Sequence, residues 1–206
     1  MTISKLFVLT TLAAVLPAAP AFGDTIPYMN IGTPFAAGVD FYALGGPVKA
    51  YFFGSDAMFD SALFLDLPSA IGPVLPNHGS SRGQEYDFGS FAPGTLLRFR
   101  LYVSHGDGTF ESFYTGIPPA PNGDTEVHAY VTPWGGGMIP GSAVSVPGPA
   151  FYVGWEDIHG ANSDWDYNDH QFLLANVGLE APEPSTLILF GSTGLALGLL
   201  RRKART

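Results

Sequence analysis

From Leu97 to Val103 apolar and polar side chains alternate without interruption, with Leu97, Phe99, Leu101 and Val103 on one side of an extended chain and Arg98, Arg100 and Tyr102 on the other. Successive side chains of a strand point to opposite faces, so this stretch predicts a strand with one face in a core. Val48–Phe53, Ala62–Leu67, Phe110–Tyr114, Val127–Thr132, Ala150–Glu156 and Gln171–Val177 read as further strands, each bounded by Gly, Pro, Asn or Asp. Between them no segment sustains a helical period and no internal repeat occurs. The segments Ile117 to Asp124 and Trp134 to Pro149 are rich in Gly and Pro and read as loops. The predicted fold class is all-β: a single β-sandwich or jelly-roll-like domain.

Composition supports this. Twenty-six Gly and 18 Pro interrupt helices, while 16 Phe and nine Tyr suit pleated, half-buried surfaces. The chain contains no cysteine, which excludes disulfide staples, thiol catalysis and Cys-ligated zinc.

The two ends do not belong to the domain. Lys5, the apolar run Leu6 to Leu16, and the small-residue stretch Ala18 to Gly23 follow the order of a secretory signal peptide, assigned to residues 1–23. At the other end Pro182-Glu183-Pro184 leads into an apolar stretch from Leu187 to Leu200 and then a basic tail, residues 201–206, beginning with Arg201 and Arg202. A predicted membrane helix over residues 185–200 falls short of the roughly 20 residues that span a bilayer core, so its grip is modest. The basic tail places the domain on the far side of the membrane from the cytoplasm.

Pro182-Glu183-Pro184-Ser185-Thr186, the short span and the arginine cluster together resemble the PEP-CTERM sorting signal of Gram-negative bacteria. The resemblance assigns residues 182–206 to that signal. It implies processing near Pro182 to Pro184 by an exosortase, a membrane-embedded cysteine protease, in bacteria that make extracellular polysaccharide. The mature domain is then exported across the inner membrane with transient C-terminal anchoring, and ends periplasmic, at the cell surface or outside the cell.

Between these segments, residues 24–181 keep 17 of the 18 carboxylates and only four of the nine basic residues, a net charge of −13. Such a surface repels nucleic acid and attracts cations.

The acids concentrate in one place. Residues 154–172 contain Glu156, Asp157, Asp164, Asp166, Asn168 and Asp169. In Asp164-x-Asp166-x-Asn168 the oxygen donors alternate, a spacing that lets a tight turn wrap them around one hard cation, and Ca2+ with its six to eight oxygen ligands suits it best. The loop is not an EF-hand, because Asp169 stands at its sixth position and Ala175 at its twelfth. Glu156 and Asp157 are the nearest candidates for the missing ligands. A water-exposed acidic hairpin is the simpler alternative. Asp56 and Asp60 could complete the site, although acids beside a strand end are more often merely solvated. The five histidines show no zinc spacing and read as scattered over the surface.

The strand entering Glu156-Asp157, the polar loop and Asp164-x-Asp166-Tyr167-Asn168-Asp169 before an apolar strand resemble domain of unknown function 4114. That resemblance implies a module of exported bacterial proteins in which calcium binding is suspected, and names no reaction.

Three functional readings follow. The first is a non-enzymatic envelope or matrix protein, with a calcium-stabilised loop, lodged among extracellular polysaccharide. The second is a calcium-dependent carbohydrate-binding module in which Trp134, Trp155 or Trp165 stacks on sugar rings. The third is a glycoside hydrolase using Glu156 and a partner carboxylate. Exosortase, the membrane through the C-terminal helix, and extracellular polysaccharide are the expected partners.

Overall fold

The structure, a computed structural model, describes residues 28–179. The predicted signal peptide, the Pro182-Glu183-Pro184 motif and the membrane helix lie outside the described residues.

Among the described residues thirteen strands run in chain order: β1 (Phe41–Ala43), β2 (Gly46–Gly54), β3 (Asp60–Leu67), β4 (Ile71–Val74), β5 (Glu85–Phe91), β6 (Leu96–Ser104), β7 (Phe110–Tyr114), β8 (Ala129–Trp134), β9 (Gly137–Met138), β10 (Ser145–Val146), β11 (Ala150–Trp155), β12 (His170–Ala175) and β13 (Val177–Gly178). Among the described residues there is no α-helix. One sheet has the order β13-β1-β6-β3-β4, with β7 also on β6; the other has the order β5-β2-β12-β11-β8. Every pairing is antiparallel.

The alternation in β6 is realised as expected. Leu97, Phe99, Leu101 and Val103 are buried, while Arg98 on the opposite face pairs with Asp66 at 2.6 Å. The inner faces of the two sheets meet in one core, in which Phe41 of β1 lies edge-on to Phe151 of β11 and Phe88 of β5 edge-on to Phe99 of β6. Each large apolar side chain buried there contributes about 1.5–3 kcal/mol relative to exposure.

The segment Trp134 to Pro149, read as a loop, contains the hairpin β9–β10. Ile139 and Val146 fold back onto the outer face of the second sheet and make a second core with Tyr51, Phe53, Trp134, Tyr152 and Leu173. Strands β11 and β12 are therefore buried on both faces, which explains their near-continuous apolar runs. The predicted strand Gln171–Val177 is divided at Asn176, whose backbone is left-handed at φ 63° and whose amide donates to the Gly45 and Pro47 carbonyls. Beyond it β13 crosses to the other sheet.

The acidic stretch sits where β11 ends and β12 begins. Trp155 and His170 are paired across the ladder, so residues 156–169 form the connection at one end of the doubly covered sheet.

Candidate functional site

Two backbone features shape this connection. Trp165 and Tyr167 both have left-handed backbone, with φ 50° and 56°. For bulky aromatic residues such a conformation costs on the order of 1–3 kcal/mol each and persists only where surroundings impose it. Here the surroundings are aromatic. Trp165 and Tyr167 are buried with Tyr28 in a cluster that includes Phe35 and Tyr130, and the Tyr28 and Tyr167 rings meet at 4.7 Å. The Tyr167 hydroxyl donates to the Val127 carbonyl at 2.7 Å and accepts from the Phe35 N–H at 2.6 Å. Gly154 completes the packing: a Cβ at that position would stand 2.2 Å from the Tyr167 carbonyl oxygen.

With the rings fixed inward, carboxylates of Asp164 and Asp166 converge on Glu156, and one oxygen from each of the three lies within 4.8 Å of the others. Glu156 is 1% exposed. Its Oε1 accepts from the Tyr167 N–H at 2.6 Å and its Oε2 from the Ser163 hydroxyl. Asp166 accepts from the backbone N–H and the side-chain amide of Asn168, at 3.1 and 2.5 Å.

Asp157 and Asp169 form a second carboxylate pair beside this trio. The Asp157 N–H donates to Asp169 Oδ2 at 2.9 Å, and the buried Asp157 carboxylate has no side-chain donor but the Asp169 carboxyl, which can donate only while protonated. Burial is the main reason that Asp157 is pushed up to about 6 and Asp169 to about 8, with repulsion from Asp157 adding to the latter. Glu156 and Asp166 are also raised, again chiefly by burial. Four carboxylates are thus held where ionisation is costly, an arrangement that a cation would relieve.

Of the six residues expected to bind metal, Glu156, Asp164 and Asp166 converge directly. Asp157 and Asp169 flank them, and Asn168 turns its amide N–H to Asp166. The turn after β2 joins the same region: the Ser55 hydroxyl donates to the Asp169 carbonyl at 2.5 Å and the Asp56 N–H to the Asn168 carbonyl at 3.1 Å. Asp60 instead faces His78, at 2.7 Å, on an exposed surface.

The histidines correct the expectation of a scattered surface set. His128 and His170 are 1% and 0% exposed. His170 is held neutral, pushed down to about 3 by burial, and its Nδ1 lies 2.9 Å from the Ser61 hydroxyl. His128 and His159 gather with Asp124 and Glu126 into a second cluster. Its sequence signal is the spacing Asp124-x-Glu126-x-His128, which a bend at Glu126, held by the Glu126 N–H donating to Asp124 Oδ1, gathers into one group; the fourth member comes from the acidic connection. The tryptophans also differ from the sugar-stacking reading, since Trp134, Trp155 and Trp165 are 5%, 0% and 6% exposed.

In comparisons with known proteins, the family described as the PEP-CTERM protein-sorting motif matches residues 180–203. The C-terminal segment therefore marks an exported protein sorted to the envelope of a Gram-negative cell, with exosortase as its processing partner. No curated protein and no solved structure matches the chain.

Proposed function

We propose that the chain is a non-enzymatic envelope or extracellular-matrix protein whose acidic connection binds Ca2+. The carrying observation is the convergence of Glu156, Asp164 and Asp166 beside the buried Asp157–Asp169 carboxyl pair. An all-oxygen, multiply charged set of this kind suits calcium, and the resemblance to domain of unknown function 4114 agrees with it. Glu156 and Asp166 would hold the ion with Asp164, while Asp157 and Asp169 would lose their mutual repulsion.

Catalysis by Glu156 is disfavoured by the same geometry. A glycosidase acid must reach its substrate. Glu156 is 1% exposed and both of its oxygens already accept hydrogen bonds.

In this reading the tail is an address. Leu187 to Leu200, with Arg201 and Arg202, holds the precursor in the membrane until exosortase cuts near Pro182-Glu183-Pro184, and the acidic domain joins the extracellular polysaccharide. Calcium titration of the purified domain by calorimetry tests the site: saturable heat that is lost on replacing Asp164 and Asp166 with Asn supports it, and no heat in the wild type contradicts it.

A carbohydrate-binding role is the second reading, favoured by a different surface. Phe110 is 55% exposed and stacks on Tyr102 with the rings 12° from parallel, and Tyr102 lines a groove with Asp60, Asn77 and His78. Exposed aromatic faces of this kind suit sugar rings. A glycan array probed with the wild type and Tyr102→Ala separates the readings.

A further inference from the structure

The second cluster has the chemistry of a different ion. Asp124 Oδ2, Glu126 Oε2, His128 Nε2 and His159 Nδ1 are contributed by two stretches of chain that meet beside the β8–β11 ladder. The ladder positions His128, whose carbonyl accepts the Glu156 N–H at 3.0 Å. Phe113 covers the two imidazoles, with ring centroids 4.2 Å from His128 and 4.8 Å from His159, and Trp165 lies 5.3 Å from His128.

The imidazole–carboxylate separations are those of groups that face one another without a direct hydrogen bond. His128 Nε2 lies 3.3 Å from Asp124 Oδ2 and 3.5 Å from Glu126 Oε2; His159 Nδ1 lies 3.8 Å from the first oxygen and 3.5 Å from the second. Direct N–H···O bonds centre on about 2.9–3.0 Å. Ligands at about 2.0–2.1 Å from a tetrahedral zinc stand about 3.3–3.4 Å apart, the edge of that tetrahedron. Three of these four imidazole–carboxylate pairs lie within about 0.2 Å of that edge, and the fourth, His159 Nδ1 to Asp124 Oδ2 at 3.8 Å, is longer.

A second observation points the same way. His128 is 1% exposed, and its Nε2, directed at the two carboxylates, makes no hydrogen bond. Asp124, with a side chain 8% exposed, uses Oδ1 to accept from the Glu126 N–H at 2.9 Å, which leaves Oδ2 turned into the cluster. Glu126 Oε2 also accepts the Gly160 N–H at 3.0 Å, a contact that fixes this carboxylate without filling all its lone pairs.

We propose that Asp124, Glu126, His128 and His159 bind one zinc-class divalent transition-metal ion, separate from the calcium proposed for the acidic connection. Two imidazoles select such an ion over calcium, which prefers oxygen alone. Four protein ligands close the coordination sphere, so the ion acts as a structural clamp between residues 124–128 and His159. The clamp would hold the start of β8 against the end of β11.

Cobalt substitution tests this in the purified protein after metal removal, with calcium kept in excess throughout. One equivalent of Co2+ is expected to give the intense visible absorption of a tetrahedral site, and Zn2+ to abolish it. His159→Ala, at a partly exposed position, should lose the signal, as should Glu126→Gln, while Asp164→Asn should keep it. The weak spectrum of octahedral cobalt in the wild type, or a tetrahedral spectrum that survives both His159→Ala and Glu126→Gln, would overturn the proposal.

Discussion

Asp157 donates its backbone N–H to Asp169 Oδ2 across 2.9 Å, and its own buried carboxylate is left without a donor once the Asp169 carboxyl loses its proton. An unsatisfied buried carboxylate oxygen costs more than the hydrogen bond its neighbour gains. Beside it lie Glu156, Asp164 and Asp166, with a carboxylate oxygen from each within 4.8 Å of the others. Repulsion within such a group opposes folding unless protons or a cation neutralise it, and this competition makes the domain's stability sensitive to pH and calcium.

The pH dependence has a definite sign. Asp169 is pushed up to about 8 and Asp157 to about 6, so their stabilising protons are fully held at acid pH and are lost as pH rises through these values. Buried His170, pushed down to about 3, acts oppositely, but only below the ordinary histidine range, where the unfolded chain gains a proton first. Between about pH 6.5 and 8 the carboxylates dominate. Urea unfolding in chelator should therefore show stability falling across that interval, and Asp169→Asn should flatten the fall. Saturating calcium should remove it.

Gly154→Ala tests the support beneath the site. The new methyl would meet the Tyr167 carbonyl at 2.2 Å and the Tyr152 ring at 3.3 Å. Overpacking of this kind typically costs about 1–3 kcal/mol. Denaturant unfolding should show a loss of at least that size, with calcium affinity weakened because Tyr167 carries the N–H that orients Glu156.

The sorting segment yields a cellular prediction. If Pro182-Glu183-Pro184 directs cleavage, Glu183→Ala should leave a precursor that retains residues 182–206 and fractionates with membranes. Mass spectrometry of the two fractions distinguishes it from wild type, whose processed form should lack the tail.

Much of the architecture is legible from local pattern, because β3, β6, β7 and β11 carry apolar alternation or a compact apolar run between turn residues. What escapes is short or cooperative. β1 has three residues, β4 contains a Pro, and β9 and β10 are recognisable only once Ile139 and Val146 have a sheet face to cover. For the acidic connection, spacing identifies Asp164, Asp166 and Glu156, but nothing local indicates that Trp165 and Tyr167 take left-handed backbone. That conformation depends on Tyr28 and Tyr130, far away in the chain. The His128–His159 cluster is less visible still, since its two imidazoles meet only after β8 has paired with β11.

The most direct test of the central claim is the thermal unfolding of the purified domain at pH 7.5, with calcium and with excess chelator. At about 100 times its dissociation constant a single bound ion adds about 2.7 kcal/mol, which for a domain of this size raises Tm by about 5–10 °C. A rise of that order is expected in the wild type, and its loss when Asp164 and Asp166 are both replaced by Asn. Superimposable wild-type melting curves with calcium and with chelator would contradict it.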